Sequence, residues 1–390
     1  MSAMADNPIF TVAAKAAAMR ARGIDVITLA AGEPQAATAA AVVDAAIAAI
    51  RDPATHHYAP AQGDGELRQL IATRLADETR LSWQADDVQI TFGAKDALFL
   101  SVHALINPGD QVIVATPGWP GHAEAVTAAG GTTIHARTDH QFRLTPNVLE
   151  RCRTARPRAV IISSPGNPTG AVHTGRDLEQ IAAWADQHHI WIITDDIYRA
   201  FDYTVTYSPL LRVAPHCRGR TIVINGVSKE HAMTGWRIGW LAAPPDIIAT
   251  ARRHLSRTVT HIPAFTQRAA IAALRDLDSP NVAAGRYQRR RNLLIDSLNE
   301  IDGIHSPLPD GGMFAFPSVA GLLRRRGWAT ATDLAGWLLD TARVAVVPGD
   351  AFGAPDRLRL CFAVDDPTLV TATERIRTAL ESVHEQKETR

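Results

Sequence analysis

The chain carries no excess of either charge. Its 40 Lys and Arg residues match its 40 Asp and Glu residues, so bulk electrostatics provides no attraction to nucleic acid or to an anionic membrane. Cysteine is also scarce: Cys152, Cys217 and Cys361 are widely spaced and odd in number. That pattern argues against a disulfide framework, fits a reducing compartment and, without a CxxC or Cys/His cluster, gives no indication of a metal site. No apolar run approaches bilayer length. The alanine-rich N-terminus is interrupted by Lys15, Arg20 and Arg22 and so lacks the uninterrupted apolar core of a signal peptide. A cytoplasmic protein without nucleic-acid or membrane partners is expected. The runs Arg289–Arg291 and Arg324–Arg326 read as solvated helix faces.

With 390 residues, 46% hydrophobic and 21% charged, the chain has the composition of a globular protein too long for one core and suited to two domains. Short β-branched runs alternate with longer helix-periodic stretches. Val88–Thr91, Gln111–Ala115, Thr132–His135, Ala159–Ile162, Ile190–Thr194, Thr221–Asn225 and Ile238–Ala242 read as strands, and Ala94–Leu105 and Asp177–Gln187 as helices between them. This alternation predicts an α/β layer with a mainly parallel sheet covered on both faces. Beyond about residue 285 the pattern changes to a long charged helix (Arg286–Glu300) followed by short strands and helices, an α+β arrangement. The expected division is a large domain over 45–285, and a small domain formed by 1–44 and 286–390.

The chemically suggestive residues cluster just past the apolar runs. Gly93-Ala94-Lys95, Pro117-Gly118-Trp119, Asn167-Pro168-Thr169-Gly170, Asp195 and Lys229 each follow one. In open parallel sheets the ligand crevice lies beyond the carboxyl ends of the strands. Within Gly226-Val227-Ser228-Lys229-Glu230-His231-Ala232-Met233-Thr234-Gly235-Trp236-Arg237-Ile238-Gly239, a lysine offers an amine to a carbonyl compound and an arginine offers a guanidinium to an anion. Read alone, each residue has a plainer use. Lysines are mostly solvated, Asp195 could cap a helix, and Asn167 suits an ordinary turn.

Gly32-Glu33-Pro34, Tyr58-Ala59-Pro60, Gly93-Ala94-Lys95, Asn167–Gly170, Asp195-Asp196-Ile197-Tyr198, the Lys229 segment and Arg359-Leu360-Cys361-Phe362-Ala363 occur in that order. The set resembles class I/II aminotransferases of pyridoxal phosphate (PLP) fold type I, nearest the bacterial aspartate/aromatic/prephenate branch. The resemblance implies a seven-stranded, mainly parallel sheet in the large domain and a smaller α+β domain. It implies PLP as cofactor, held by Lys229 as an internal aldimine, and an amino group passed in ping-pong fashion between an amino acid and a 2-oxo acid. Asp195 would pair with the pyridine nitrogen, with His122 behind it. Tyr198 and Asn167 would hydrogen-bond the ring oxygen, and Trp119 would stack on the ring. The phosphate would be met by Gly93, the amides of Ala94 and Lys95, Ser228 and Arg237, and by Tyr58 of a neighbouring subunit, which makes a homodimer the expected form. Arg359 would bind the substrate carboxylate, with Arg357 as its rival. Gly32, Pro34 and the Gly311-Gly312-Met313-Phe314 turn would shape that part of the site. No metal is implied.

Substrate choice is less determined. Lys95 would meet a distal carboxylate or else be a solvated residue at a helix start. Ile9 and Phe10 replace polar residues in the N-terminal lid, Gly118 replaces a bulky aromatic, and His261-Ile262-Pro263 replaces a small polar stretch. These departures would favour an aromatic, aliphatic or larger specialised side chain. A fold-type-I lyase, oxidase or cyclase is the alternative reaction class. A non-catalytic PLP-binding regulator is a third reading, disfavoured by the completeness of the catalytic set and by the absence of a preceding DNA-binding extension.

Overall fold

The computed structural model describes residues 8–153, 157–204 and 206–388, with side chains to Ser382. It resolves into two compact units. One comprises the chain up to Gln35, Asn167–Gly170 and everything from Gly285. The other comprises Ala36–Gly166 and Ala171–Ala284.

In the first unit, helix α1 (Pro8–Ala21) leads to strand β1 (Ile27–Thr28). The larger unit then begins with helices α2 (Ala40–Arg51), α3 (Gly65–Thr79), α4 (Ala94–Leu105) and α5 (Pro120–Ala128). Its sheet is built from β2 (Val88–Thr91), β3 (Gln111–Thr116), β4 (Thr132–Arg137), β5 (Pro157–Ser163), β6 (Trp191–Asp195), β7 (Thr221–Gly226) and β8 (Gly239–Ala242). These seven strands run in the order β2-β8-β7-β6-β5-β3-β4. β8 is antiparallel to both neighbours, and the remaining pairs are parallel. The seven runs read from the sequence are therefore all strands, and the fold-type-I expectation holds.

The reason is visible in the burial pattern. Every residue of β2, β7 and β8 is buried, as are Ala159–Ile162 of β5 and Ile192–Asp195 of β6. Strands rich in Val and Ile on both faces must be covered on both faces. α4 covers part of the sheet by burying Ala97, Leu98, Leu100, Val102 and Leu105 against β7 and β8. β4 lies at the sheet edge and shows mostly exposed or half-buried residues, including Thr132, His135 and Arg137. Helix starts follow local chemistry. Asp64 Oδ1 accepts from Glu66 N (2.8 Å) and Leu67 N (3.3 Å) to cap α3. Thr174 and Asp177 form a capping box on the helix Gly175–Gln187.

The smaller unit carries β9 (Phe314–Ala315), β10 (Val344–Ala345), β11 (Val347–Pro348) and β12 (Leu358–Cys361). β1 pairs in parallel with β10, so the N-terminal segment is built into this unit, while β11, β12 and β9 form an antiparallel sheet. The helices Asp278–Asn299, Ala331–Thr341 and Asp366–Glu388 complete its frame. Among the described residues no helix is long and apolar enough to cross a membrane.

Ile193 sits fully buried in the central strand β6. Ile193→Ala is expected to lower the unfolding free energy by about 2–5 kcal/mol, measured as a shift in the urea unfolding midpoint.

Candidate active site

The parallel strands deliver the singled-out residues to a single edge of the large sheet. β2, β3, β5, β6 and β7 all end there, and the antiparallel β8 begins there, with Gly239 in register with both Thr91 and Gly226. Asp195 is the last residue of β6, the Lys229 turn follows β7, Trp119 opens α5 after β3, and Gly93 caps α4 after β2.

Asp195 does not cap a helix. Its Oδ1 accepts from Ile197 N at 3.4 Å, and the short helical turn that follows is capped by Tyr198. Its Oδ2 lies 3.0 Å from His122 Nε2, both side chains nearly buried. A carboxylate oxygen there accepts, so the His122 Nε2–H donates. The carboxylate is thereby held in one orientation at the strand end. His122 in turn meets Trp119 edge to face, with ring centroids 5.3 Å apart.

Two glycines explain the Trp119 loop. A Cβ on Gly118 would lie 2.2 Å from the Ala115 carbonyl oxygen, and one on Gly121 would lie 2.3 Å from Trp119 Cη2. Gly118 is therefore dictated by close backbone approach. Gly121 allows the indole to lie against the start of α5. Above that indole sits Lys95, its Nζ 5.2 Å from the ring centroid, a cation–π arrangement.

The start of α4 is a second built feature. Gly93, at φ +83°, gives α4 no side-chain cap, and an uncapped helix start is an arrangement that suits an anion. Arg237 backs it. Its Nη2 donates to Phe92 O (3.1 Å) and its Nη1 to Thr234 O (2.8 Å). A Cβ on Gly93 would fall 2.4 Å from Arg237 Nη2, and one on Gly239 would fall 2.4 Å from the Gly93 carbonyl carbon. Only two glycines permit this approach. Asp96 Oδ2 accepts from Phe92 N (2.9 Å), and burial raises its pKa against the lowering effects of that bond and Arg237.

Lys229 is half-buried, with Ser228 buried before it. The turn is closed by His231 N→Val227 O at 3.2 Å and Met233 N→Ser228 O at 3.2 Å. Thr38 Oγ1 donates to Ala232 O (2.9 Å) and accepts from Trp236 Nε1 (3.1 Å).

In the smaller unit Arg359 is buried on β12. Nη1 donates to Asn167 Oδ1 (3.1 Å) and Nη2 to Ala30 O (2.8 Å), while its Cζ lies 4.4 Å from the Phe314 ring centroid and 5.0 Å from that of Phe352. Gly32 lets Phe314 come close, since a Cβ there would be 3.3 Å from Phe314 Cζ. The rival Arg357 donates instead to Phe316 O (2.8 Å). The Asn167–Gly170 turn is tied to the Gly311-Gly312 turn by Gly311 N→Gly170 O (2.8 Å). In the larger unit Tyr58 is 88% exposed and lies edge-on to His261 at 5.7 Å. Ile9 is half-buried and Phe10 is exposed on α1.

Sequence reasoning missed one set of residues. Glu230 and Asp196, each directly after a singled-out residue, are buried, and Glu230 is joined by the half-buried Arg74, Glu78 and Arg199 in one network of ion pairs. The acidic neighbours of Lys229 and Asp195 were the available signal, but α3, which supplies Arg74 and Glu78, is distant in sequence.

The model for aminotransferase class I and II matches residues 24–376, and the chain belongs to that family. It is 37% identical to the aspartate aminotransferase of Streptomyces avermitilis, covering 97% of this chain and 95% of that one. It is 34% identical to the probable aspartate/prephenate aminotransferase of Aquifex aeolicus, covering 98% of each. The crystal structure of the aspartate aminotransferase of Rhizobium meliloti superposes with a TM-score of 0.91 at 34% identity, over 97% of each chain. The chain is an aminotransferase, and the lyase, oxidase or cyclase alternative finds no support among these relatives.

Burial raises the Asp196 pKa to about 7, with Arg199 opposing and Asp195 and Glu78 adding to it. The native state then holds a proton that the unfolded chain releases at about 4. The stability this contributes is complete below about pH 4 and is lost as pH rises through about 7. Asp196→Asn is accordingly expected to raise the thermal midpoint relative to wild type more at pH 8 than at pH 5.

Proposed function

We propose that the chain uses PLP, held at Lys229, to exchange an amino group between a dicarboxylic 2-amino acid of the aspartate type and a 2-oxo acid. The observation that carries this reading is the single sheet edge that bears Asp195 fixed by His122, the Lys229 turn, and the glycine-lined start of α4 backed by Arg237. The donor set suits the cofactor. A carboxylate suits a protonated ring nitrogen, uncapped helix amides and a guanidinium suit a phosphate, and a half-buried lysine suits an aldehyde. When bound, PLP supplies an electron sink for the pair left when the substrate Cα–H bond breaks.

The remaining chemistry falls to side chains. Asp195 holds the proton on the pyridine nitrogen, and His122 keeps that carboxylate aimed. Trp119, seated on Gly121, covers one ring face and excludes water. Tyr198 and Asn167 donate to the ring oxygen. Ser228, Arg237, Gly93 and the Ala94 and Lys95 amides bind the phosphate. Lys229 Nζ removes the proton from the substrate Cα and returns it. Arg359 binds the α-carboxylate as a charge-assisted pair, with Gly32 admitting the Phe314 ring that flanks the guanidinium. Lys95, poised over Trp119, supplies a cation for the distal carboxylate, in keeping with relatives named for aspartate.

The chain acts as a homodimer in this reading. Val43, Ile47 and Ile50 line an exposed apolar face of α2, Phe265 and Val259 are exposed nearby in sequence to His261, and Tyr58 is nearly all solvent-facing. Tyr58 reaches the phosphate of the second copy.

Mixing the PLP form with aspartate is expected to convert its visible absorbance to that of pyridoxamine phosphate, and 2-oxoglutarate to reverse it. Ammonia release or O₂ consumption instead would sink the transamination reading. Lys229→Ala is expected to remove turnover with an unchanged circular dichroism spectrum; measurable turnover by that variant counts against the assignment. Ile47→Glu combined with Ile50→Glu is expected to lower the mass seen by light scattering to that of one chain.

A further inference from the structure

Both residues assigned to the ends of the PLP ring system are followed at once by a buried carboxyl group, Asp196 after Asp195 and Glu230 after Lys229. These belong to one ionic network within the larger unit. α3 contributes Arg74 and Glu78, 3.6 Å apart one helical turn from each other. The turn after β6 contributes Asp196 and Arg199, and Arg199 pairs with Glu78. The Lys229 turn contributes Glu230, whose side chain is 2% exposed and lies 3.2 Å from Arg74, 3.9 Å from Arg199 and 3.3 Å from His231. Tyr207 faces the Asp196 side of this network, and Asp276 lies within electrostatic reach of His231.

Glu230 Oε1 lies within ion-pairing distance of both Arg74 Nη1 and His231 Nε2, and Arg199 Nη1 donates to Glu78 Oε2 in the same network. Burial alone would raise the Glu230 carboxyl; His231, Arg199 and Arg74 outweigh it and hold the group at about 2. Buried ion pairs are weak contributors to stability because desolvation offsets their attraction. A buried carboxylate directly beside the cofactor lysine therefore calls for another account.

The turn itself supplies that account. Its internal bonds are long, 3.2 Å for His231 N→Val227 O, 3.4 Å for Ala232 N→Lys229 O and 3.2 Å for Met233 N→Ser228 O, and Ala232 is in the left-handed region at φ +52°. Thr38 holds this turn from outside at Ala232 O (2.9 Å), and Glu230 ties it to α3. Below about pH 7, where Asp196 is mostly protonated, Arg74 and Arg199 oppose Glu78 and Glu230, and deleting one carboxylate leaves an excess of positive charge in the network.

We infer that Glu230 is a positioning residue for Lys229: its buried charge, tied to Arg74 and Arg199, anchors the turn that carries Lys229 and offsets two guanidiniums that would disfavour a cation at Lys229 Nζ. The inference rests on the reading of Lys229 as the cofactor lysine.

The test uses the PLP-loaded protein and reads the pH midpoint of its visible absorbance, with thermal unfolding of the cofactor-free protein as a second measurement. Glu230→Gln is expected to lower the midpoint by roughly half a unit to one unit, the effect of losing one nearby negative charge. Arg74→Gln is expected to raise it, and the double variant to return it towards wild type. Glu230→Gln is also expected to lower the unfolding temperature of the cofactor-free protein. An unchanged midpoint in a folded Glu230→Gln protein overturns the inference. If Glu230→Gln does not fold, Arg74→Gln decides: a fall or no change in its midpoint is equally fatal. If the wild-type absorbance survives Lys229→Ala, the reading of Lys229 itself fails; if only the charge-variant shifts are missing, this inference alone fails.

Discussion

A sheet buried on both faces has almost nowhere to place a charged side chain except at the ends of its strands, and that constraint organises the larger unit. The interiors of β2, β5, β7 and β8 are buried throughout their middle positions, and a charged group there would meet the full cost of desolvation. Asp195, the Lys229 turn, Trp119 and the start of α4 therefore collect on one edge because the parallel strands end there together. Chemistry follows from topology: an amine, a carboxylate and an anion site that are far apart in the chain share one rim.

At that rim the main chain matters as much as the side chains. Arg237 can approach the start of α4 only because Gly93 and Gly239 have no Cβ, and Trp119 can rest on α5 only because position 121 is glycine. These contacts convert an ordinary helix start into a cradle with a fixed guanidinium, and an ordinary loop tryptophan into a fixed aromatic wall. In the smaller unit the same economy holds at Gly32, whose lack of a side chain lets Phe314 flank the Arg359 guanidinium.

Much of this was legible in the residues. The seven strands were readable because short runs rich in β-branched apolar residues recur along the chain, and the candidate site residues stood just beyond those runs. Less legible was which plain alternative each residue would take. Asp195 had the composition of a helix cap, and only the 3.0 Å contact from His122, together with the capping of the next turn by Tyr198, shows that its carboxylate is engaged elsewhere. Arg357 and Arg359 were rivals by strand alternation; the direction of Arg357 to Phe316 O and of Arg359 to Asn167 and Ala30 distinguishes them. Gly118 was notable only as a departure from a bulky aromatic, whereas the fold shows the Ala115 carbonyl occupying the space a side chain there would need.

The sequence by itself determined the class of fold and the strand ends at which chemistry could sit, and singled out Lys229, Asp195 and Arg359 as candidates. Those features are local, written in hydrophobic period and in short motifs. The tertiary structure decided which groups stand behind them. Arg74 and Glu78 on α3 meet Glu230 and Arg199 across more than a hundred residues of chain, and His122 meets Asp195 from a different strand end. Such partnerships depend on strand order and helix placement, which no local pattern encodes, because a buried charge is defined by what folding brings beside it.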